Sequence, residues 1–568
     1  MVFPFHTQRT PVSGNRGIVS SAHHLSTKAG IEMFAKGGNA FDAAAAVSLA
    51  LSVVEPHHSG IGGGCFSLIH DAKTKKLHAF DARGVAPAEA RKDMFVKNGA
   101  PLLDDMLFGH RAVAVPALVE NVFGMLERFG ALDFATVAEP AIRYAEEGFI
   151  VYPFLETVFS EAETNAKLRL FPETRTTYLK KNGEIYKTGE LFRQEAQGNT
   201  LRKISKSGKD VFYKGELAQA IAQEMSSGKG ILSPKDLETC RVKPMTPLYG
   251  AYRNYEVYGM PPPSSGGGHV IQMLNLLEGH DIRGMGRYSA EFIHLLTEYM
   301  KIAFADRSEV MDDPAFWNVP VEALVSKEYA DKRRKEVEPR RAKNYQAASE
   351  LKAARHKGGT THFSVADGEG NVVSITQTVR DWFGSGVVVP GTGILLNNIM
   401  ADFSPMAGVA TSQGLVYGES NAVEGGKTPL SSMSPTIVLK DGSPYMATGA
   451  AGGPRIITAT LQSIVNVLDF GMNVRDAIWA ARTHSMGVGL EIERGALLPE
   501  VVNDLKERGH EIVEVPANDY FTCWAHAVTL GERLYGGAES RIGGMAMGYS
   551  EENGTRSYSG EGCIDFEI

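Results

Sequence analysis

Residues 357–379 read Lys-Gly-Gly-Thr-Thr-His-Phe-Ser-Val-Ala-Asp-Gly-Glu-Gly-Asn-Val-Val-Ser-Ile-Thr-Gln-Thr-Val, and no other stretch of the chain restricts its fold as much. The alternation over 361–366 predicts a strand, the Asp-Gly-Glu-Gly-Asn run at 367–371 predicts a turn, and 372–379 predicts the returning strand of a hairpin. The preceding 332–357 are charged and Ala-rich with no hydrophobic period, which suits a solvated, mobile tail. A mobile tail, two glycines and a hairpin make a good place to cut a chain.

A cut before Thr360 would leave a free amine beside that residue's own hydroxyl. A threonine hydroxyl needs a neighbouring base to act as a nucleophile, and an α-amino group of pKa about 7.7–8.0 is suitably poised. From these residues alone, a plain turn entering a hairpin accounts for Gly-Gly-Thr-Thr equally well.

The flanking sequence supplies the rest of a layered fold. A strand is predicted at 17–21 and a helix at 26–36, stopped by Gly37-Gly38. Asn39 caps a second helix, 40–54, which is apolar on most faces and ends at Pro56. The glycine-rich 60–64 lacks the Lys-Ser/Thr of a phosphate loop and the spacing of a dinucleotide site, so it reads as a tight passage into a buried strand. A further strand is predicted at 77–81, with Arg83 just beyond it. Residues 110–330 read as mostly helical, with helices at 116–129, 134–147, 215–225 and 290–304 and a Pro-Ser-Gly corner at 261–268. Past the hairpin, helices are predicted at 455–467, 473–481 and 499–508. No repeat or long linker separates domains. Strands with buried helices on the other side suit an α+β layered sandwich.

Composition removes several functions. The 568-residue chain carries a net charge of −8 and shows no basic stripe, so nucleic acid is not an expected partner. The longest apolar run, 43–54, is too short to span a bilayer and contains Ser48 and Ser52. The first residues lack a basic region followed by an apolar core, so a cytoplasmic protein is the expectation, with export as the alternative. Cys65, Cys240, Cys523 and Cys563 are scattered and form no CxxC pair; buried free thiols are expected. No HExxH occurs, and His57-His58 have no partner ligand at metal spacing, so neither metal nor cofactor is expected.

Thr360-Thr361-His362-Phe363-Ser364-Val365, Asn371 to Thr376, Phe383-Gly384-Ser385-Gly386, Leu396-Asn397-Asn398, Asp402-Phe403-Ser404, Pro429 to Thr436 and Gly452-Gly453 closely resemble the gamma-glutamyltranspeptidase family. So do Gly37 to Ala44 and Glu55 to Gly64, and the resemblance covers nearly the whole chain. It implies a four-layer αββα sandwich of the N-terminal-nucleophile hydrolase type. It also implies a self-inflicted cut between Gly359 and Thr360, giving a large subunit 1–359 and a small subunit 360–568 that together form one structural unit. Carried over residue by residue, Thr360 is the nucleophile and Thr378 tunes it. Gly452 and Gly453 form the oxyanion hole. Arg83, Ser431 and Ser432 hold the substrate α-carboxylate, and Asp402 binds its α-amino group. The implied partners are a γ-glutamyl amide of the glutathione type, with water or an amine as acyl acceptor.

Three positions depart from the family pattern. Gly84 stands where glutamate usually follows the arginine, Arg380 where asparagine is usual, and Ile399 where glutamine or glutamate is usual. A cation repels an α-ammonium by about 4 kcal/mol at about 4 Å and an effective dielectric near 20. An Arg380–Asp402 pair would also remove the charge that receives the amine. This points to an acyl group without a free α-amine, such as glutaryl, or one bearing an extra carboxylate; retained γ-glutamyl recognition, with Arg380 pointing away, is the competing reading. Gln413 lies near the family's aromatic gate, within the lid-length segment 405–428, which favours hydrolysis over transfer. An unprocessed, non-enzymatic scaffold is the remaining alternative; the intact site residues argue against it.

Overall fold

The computed structural model describes residues 10–345, 359–487, 489–516 and 523–561. Two antiparallel sheets lie face to face. One runs in the order Thr555–Gly560, Met545–Glu552, Gly17–Ser21, Gly359–Asp367, Val372–Arg380, Gly64–Asp71, Lys76–Ala82, Lys243–Met245. The other runs Val12–Gly14, Leu534–Ala538, Trp524–Leu530, Ser443–Ala451, Thr436–Lys440, Tyr255–Gly259, Leu248–Tyr252.

The predicted hairpin sits at the centre of the first sheet, and every residue of its two strands is buried. Period-two alternation sorts their side chains. Phe363, Val365, Val373 and Ile375 face a core shared with the helices His24–Ala35 and Ala40–Val54. The opposite face meets the second sheet. There His362 binds Thr376 Oγ1 at 2.9 Å and Ser364 Oγ at 3.1 Å, and Ser374 donates to Thr448 O at 3.1 Å. Gly449 makes room for the His362 ring, since a Cβ at Gly449 would lie 2.4 Å from it. The second sheet covers its outer face with Gly266–Glu278, Ala290–Val310 and Arg455–Leu468. Helix, sheet, sheet and helix give the αββα sandwich.

Local chemistry explains the elements that position the site. Asn39 and Asp42 form a reciprocal capping box at the start of Ala40–Val54. The helix predicted at 290–304 extends to Val310, which carries Arg307 into the interior. The 110–330 region also contains the hairpin Leu248–Tyr252/Tyr255–Gly259, which sequence reading left out; its strands are short, the first forms the sheet edge, and helices surround them in sequence. The charged run from 332 is held as far as Tyr345, where Tyr345 Oη donates to Glu298 Oε2 at 3.0 Å and Lys301 Nζ to Lys343 O at 3.2 Å. Thus the stretch read as a mobile tail begins with anchored chain, and its remainder lies outside the described residues. Cys65, Cys240 and Cys523 are buried free thiols; Cys563 lies outside the described residues. No helix among the described residues is long and apolar enough to cross a membrane.

Candidate active site

The Gly359–Asp367 strand begins with a bulge. Gly359 pairs with Arg380, but Thr360 already pairs with Thr378, so Val379 is the extra residue. The bulge turns Arg380 to φ +85°. It also brings the Asp381 carbonyl so close to Gly359 that a Cβ there would lie 2.2 Å from the oxygen. Glycine is therefore required at this position by contact.

Across the strand pair, Thr378 Oγ1 is a hub. It lies 2.9 Å from Thr360 Oγ1, accepts from Arg380 N at 2.8 Å, and donates to the Gly359 carbonyl. A hydroxyl has one proton to give. With that proton on Gly359 O, the Thr360 hydroxyl must be the donor of the threonine pair. The Thr360 oxygen is thereby held beside the carbonyl that precedes it, and that carbonyl is polarised.

Thr360 opens into a cleft. Seven further residues given catalytic or substrate-binding roles from sequence line it: Thr378, Arg83, Arg380, Asp402, Ser431, Ser432 and Gly453. Gly452 precedes Gly453 at φ +131°, and a Cβ on it would press to 3.1 Å from Cys523 Sγ. The helix Arg455–Leu468 starts just beyond, and Gly453 and Ile456 both border the cleft, so the positive end of the helix dipole faces it.

The charges are arranged around one carboxylate. Arg83 Nη2 bonds Asp402 Oδ2, while Arg380 Nε bonds Asp402 Oδ1 at 2.9 Å. Arg380 also bonds Asp381 and the Ala401 carbonyl. Burial by itself lowers the Arg380 pKa, but Asp381 and Asp402 outweigh it and raise the value. Arg83 is 2% exposed, and its Nε and Nη1 have no hydrogen-bond partner. Its pKa is lowered, first by burial, with Asp402 acting in the opposite direction and Arg380 adding to the fall. A guanidinium remains a cation under such shifts; its two unpartnered nitrogens are themselves buried, so Arg83 acts on the cleft through its charge.

Two of the sequence departures meet in space. A Cβ on Gly84 would lie 3.9 Å from Ile399 Cδ1, and Ile399 is fully buried in a small apolar cluster with Met400 and Phe403. Apolar contact thus fills the place where polar side chains were expected.

Arg307 and Tyr417 were missed from sequence. Arg307 is 1% exposed and spends its donors on Ser265 Oγ (2.8 Å), Tyr417 Oη (2.7 Å) and Ser432 Oγ (3.1 Å). It joins the Pro-Ser-Gly corner, the serine pair and the lid-length segment. Gln413 lines the cleft as well. The signal for Arg307 was present in the helical period running on past Phe304; Tyr417 sits in a loop with no period to place it.

These features coincide with the comparisons. The sequence model described as Gamma-glutamyltranspeptidase matches residues 26–549. The chain belongs to the gamma-glutamyltranspeptidase family. It is 40% identical over 510 residues to the Glutathione hydrolase proenzyme of Escherichia coli (strain K12), covering 88% of this chain and 87% of that one. It is 38% identical over 527 residues to the Acylase ACY 1 proenzyme of Pseudomonas sp. (strain SE83), covering 91% and 90%. In three dimensions it resembles the cephalosporin acylase from Bacillus halodurans, with a TM-score of 0.86 and 29% identity over 97% of this chain and 99% of that one. Two clusters of the described residues bring metal-ligating atoms together, Glu55-His57-His58 and His294-Glu298-His510, and none of the six is among the residues lining the cleft.

Proposed function

We propose that this gamma-glutamyltranspeptidase family member is a self-cleaving N-terminal-threonine amidase whose preferred acyl group carries a terminal carboxylate and no α-amine. The cut falls between Gly359 and Thr360. Thr360 Oγ1 attacks the Gly359 carbonyl, which Thr378 polarises, and the acyl group moves from nitrogen to oxygen. Water then hydrolyses the ester, leaving a Gly359 carboxylate and a free Thr360 amine.

In the cut enzyme that amine takes the hydroxyl proton as Thr360 Oγ1 attacks the substrate amide. Gly452 and Gly453 N–H groups and the adjoining helix N-terminus receive the developing oxyanion. Collapse expels the amine and leaves an acyl ester, which water hydrolyses. With Gln413 where an aromatic gate is usual, water is the favoured acceptor.

The observation that carries the specificity is the double pairing of Asp402. Arg83, Arg307 and Arg380 place three positive charges on the cleft wall; Asp402 offsets one, and Asp381, bonded to Arg380 from behind, offsets another. One positive charge is left over. It matches the charge of one carboxylate, the anion that guanidinium groups favour. An α-ammonium would meet Arg380 instead of a free Asp402.

Two measurements test this. Intact mass and amino-terminal sequencing should find a piece beginning Thr360-Thr361-His362, absent from Thr360→Ala. Turnover of glutaryl and γ-glutamyl anilides should then favour glutaryl; good γ-glutamyl turnover with inert glutaryl would refute the specificity while leaving the nucleophile standing.

A further inference from the structure

Behind the nucleophile strand lies a second cluster that the reaction does not use. The helix Ala40–Val54 ends at Glu55, and the chain doubles back so that the His58 and Ser59 amides donate to the Glu55 carbonyl at 2.9 and 3.1 Å. This turn gathers the Glu55 carboxylate and the two imidazoles, with one ligating atom from each within 4.8 Å of the others. All three residues are at most 1% exposed. Both ring nitrogens of His57, Nε2 of His58 and Oε2 of Glu55 have no hydrogen-bond partner.

Buried polar atoms are almost always paired, and each exception calls for a cause. A carboxyl group buried this deeply is paired, held by a metal or protonated. His58 Nδ1 reaches Glu55 Oε1, and Oε2 is left without a partner. Neutral imidazole with carboxylate is a donor set for a borderline divalent ion. Tetrahedral bonds of about 2.0–2.1 Å place ligand atoms about 3.3 Å apart, and Glu55 Oε1 lies 3.3 Å from His58 Nδ1. The cluster His294-Glu298-His510 is different. Glu298 is already bound by Lys301, the Lys343 amide and Tyr345, and both His294 nitrogens are bonded.

We propose that Glu55, His57 and His58 bind a divalent cation of the zinc class, with a structural role at the base of the active site. The turn that carries them is joined to the catalytic bulge by its backbone. The His58 carbonyl accepts from Val379 N and the His57 carbonyl from Phe383 N, each at 3.1 Å, so the two peptides bracket Arg380. Five residues on, Gly63 presses so closely on the Thr378 carbonyl that a Cβ would lie 2.3 Å from it. A cation fixing the turn would fix Thr378 and Arg380.

The test is metal content of the full chain purified from zinc-supplemented medium, read by inductively coupled plasma mass spectrometry after gel filtration. The expected result is close to one zinc per chain, equally in wild type and Thr360→Ala. Glu55→Gln, which keeps the shape of the side chain, and His57→Ala should each lose most of it, whereas His510→Ala should keep it. Cobalt should replace zinc with a visible band that Glu55→Gln abolishes, and a chelator should lower the melting temperature of the metal-bearing chains but not that of Glu55→Gln. A wild-type chain without metal, whose melting temperature is unmoved by added zinc, would overturn the proposal. Equal metal in wild type and Glu55→Gln would overturn it as well.

Discussion

Arg380→Asn is the substitution that most directly probes how the cleft chooses its acyl group. Arg380 Nε lies 2.9 Å from Asp402 Oδ1 and holds half of the only carboxylate among the described residues that line the cleft. An α-ammonium placed about 4 Å from this guanidinium is opposed by about 4 kcal/mol at an effective dielectric near 20. At 1.36 kcal/mol per decade, that is a ceiling of about a thousandfold in relative kcat/KM. The substitution also frees Asp402 Oδ1 to receive an amine. Asparagine suits the backbone, since Arg380 sits at φ +85° and asparagine tolerates that region better than most residues. The Arg380 N–H bond to Thr378 Oγ1 is a backbone bond and survives. The assay is kcat/KM for γ-glutamyl and glutaryl p-nitroanilides, with intact mass establishing that processing is complete. The ratio of γ-glutamyl to glutaryl should rise at least about tenfold, the thousandfold ceiling being reduced by water in the cleft. Arg380→Lys, which keeps the charge, should stay near the wild-type ratio. An unchanged ratio in fully processed Arg380→Asn would refute the electrostatic account.

Other outcomes follow from the same geometry. Thr378→Val keeps the shape but removes the hub hydroxyl, so self-cleavage should slow by at least about a hundredfold, as loss of a donor to a developing oxyanion does; the uncut fraction on a denaturing gel over time measures it, and a wild-type rate would contradict the role given to Thr378. Gly359→Ala drives a methyl into the Asp381 carbonyl and should leave the chain uncut by intact mass. Tyr417→Phe deletes one bond to Arg307 and should raise KM for acyl donors about tenfold with little change in kcat, because a hydrogen bond to a charged group is worth about 1.5–3 kcal/mol. Burial lowers the pKa of His269 to about 3 and of His526 to about 4. Both folded values lie below the unfolded value of about 6.5. The unfolded chain therefore binds protons first as pH falls. Their contribution is complete above pH 6.5 and is lost below it, at about 1.4 kcal/mol per pH unit for each histidine. Denaturant unfolding at pH 7 and pH 5 should differ accordingly, and equal midpoints would count against it.

Much of this site was legible because its residues sit on strongly patterned segments. The alternation from Thr361 to Val379 determined the hairpin, and a hairpin of that length sets Thr378 opposite Thr360 without further information. Period two then decided that Thr360 faces the second sheet while Phe363 faces the helices. Arg83, Asp402, Ser431 and Gly453 were legible only as family motifs, since nothing in their local spacing joins residues so far apart in the chain; the sheet order does that. Arg307 escaped because a cation near a helix end is ordinarily solvated, whereas here three neutral oxygens from distant segments surround it. Glu55 escaped as a neighbour of His57-His58 because Pro56 reads as a helix stop. The doubled-back turn that follows exists only in three dimensions. The register slip at Gly359 has no sequence signature beyond the glycine itself.

The Thr378 hub also bears on how the cell obtains an active enzyme. Thr378 reaches Thr360 and the Gly359 carbonyl only when two long strands are paired in register and the turn at Glu55 is closed beneath them. Under the proposed cut, the chemistry that releases the nucleophile therefore samples the finished fold. A chain paired one residue out of step would keep its peptide bond and never display an amine. Maturation would then act as an inspection step: a misassembled copy could linger or be degraded, but it would not hydrolyse anything in the meantime.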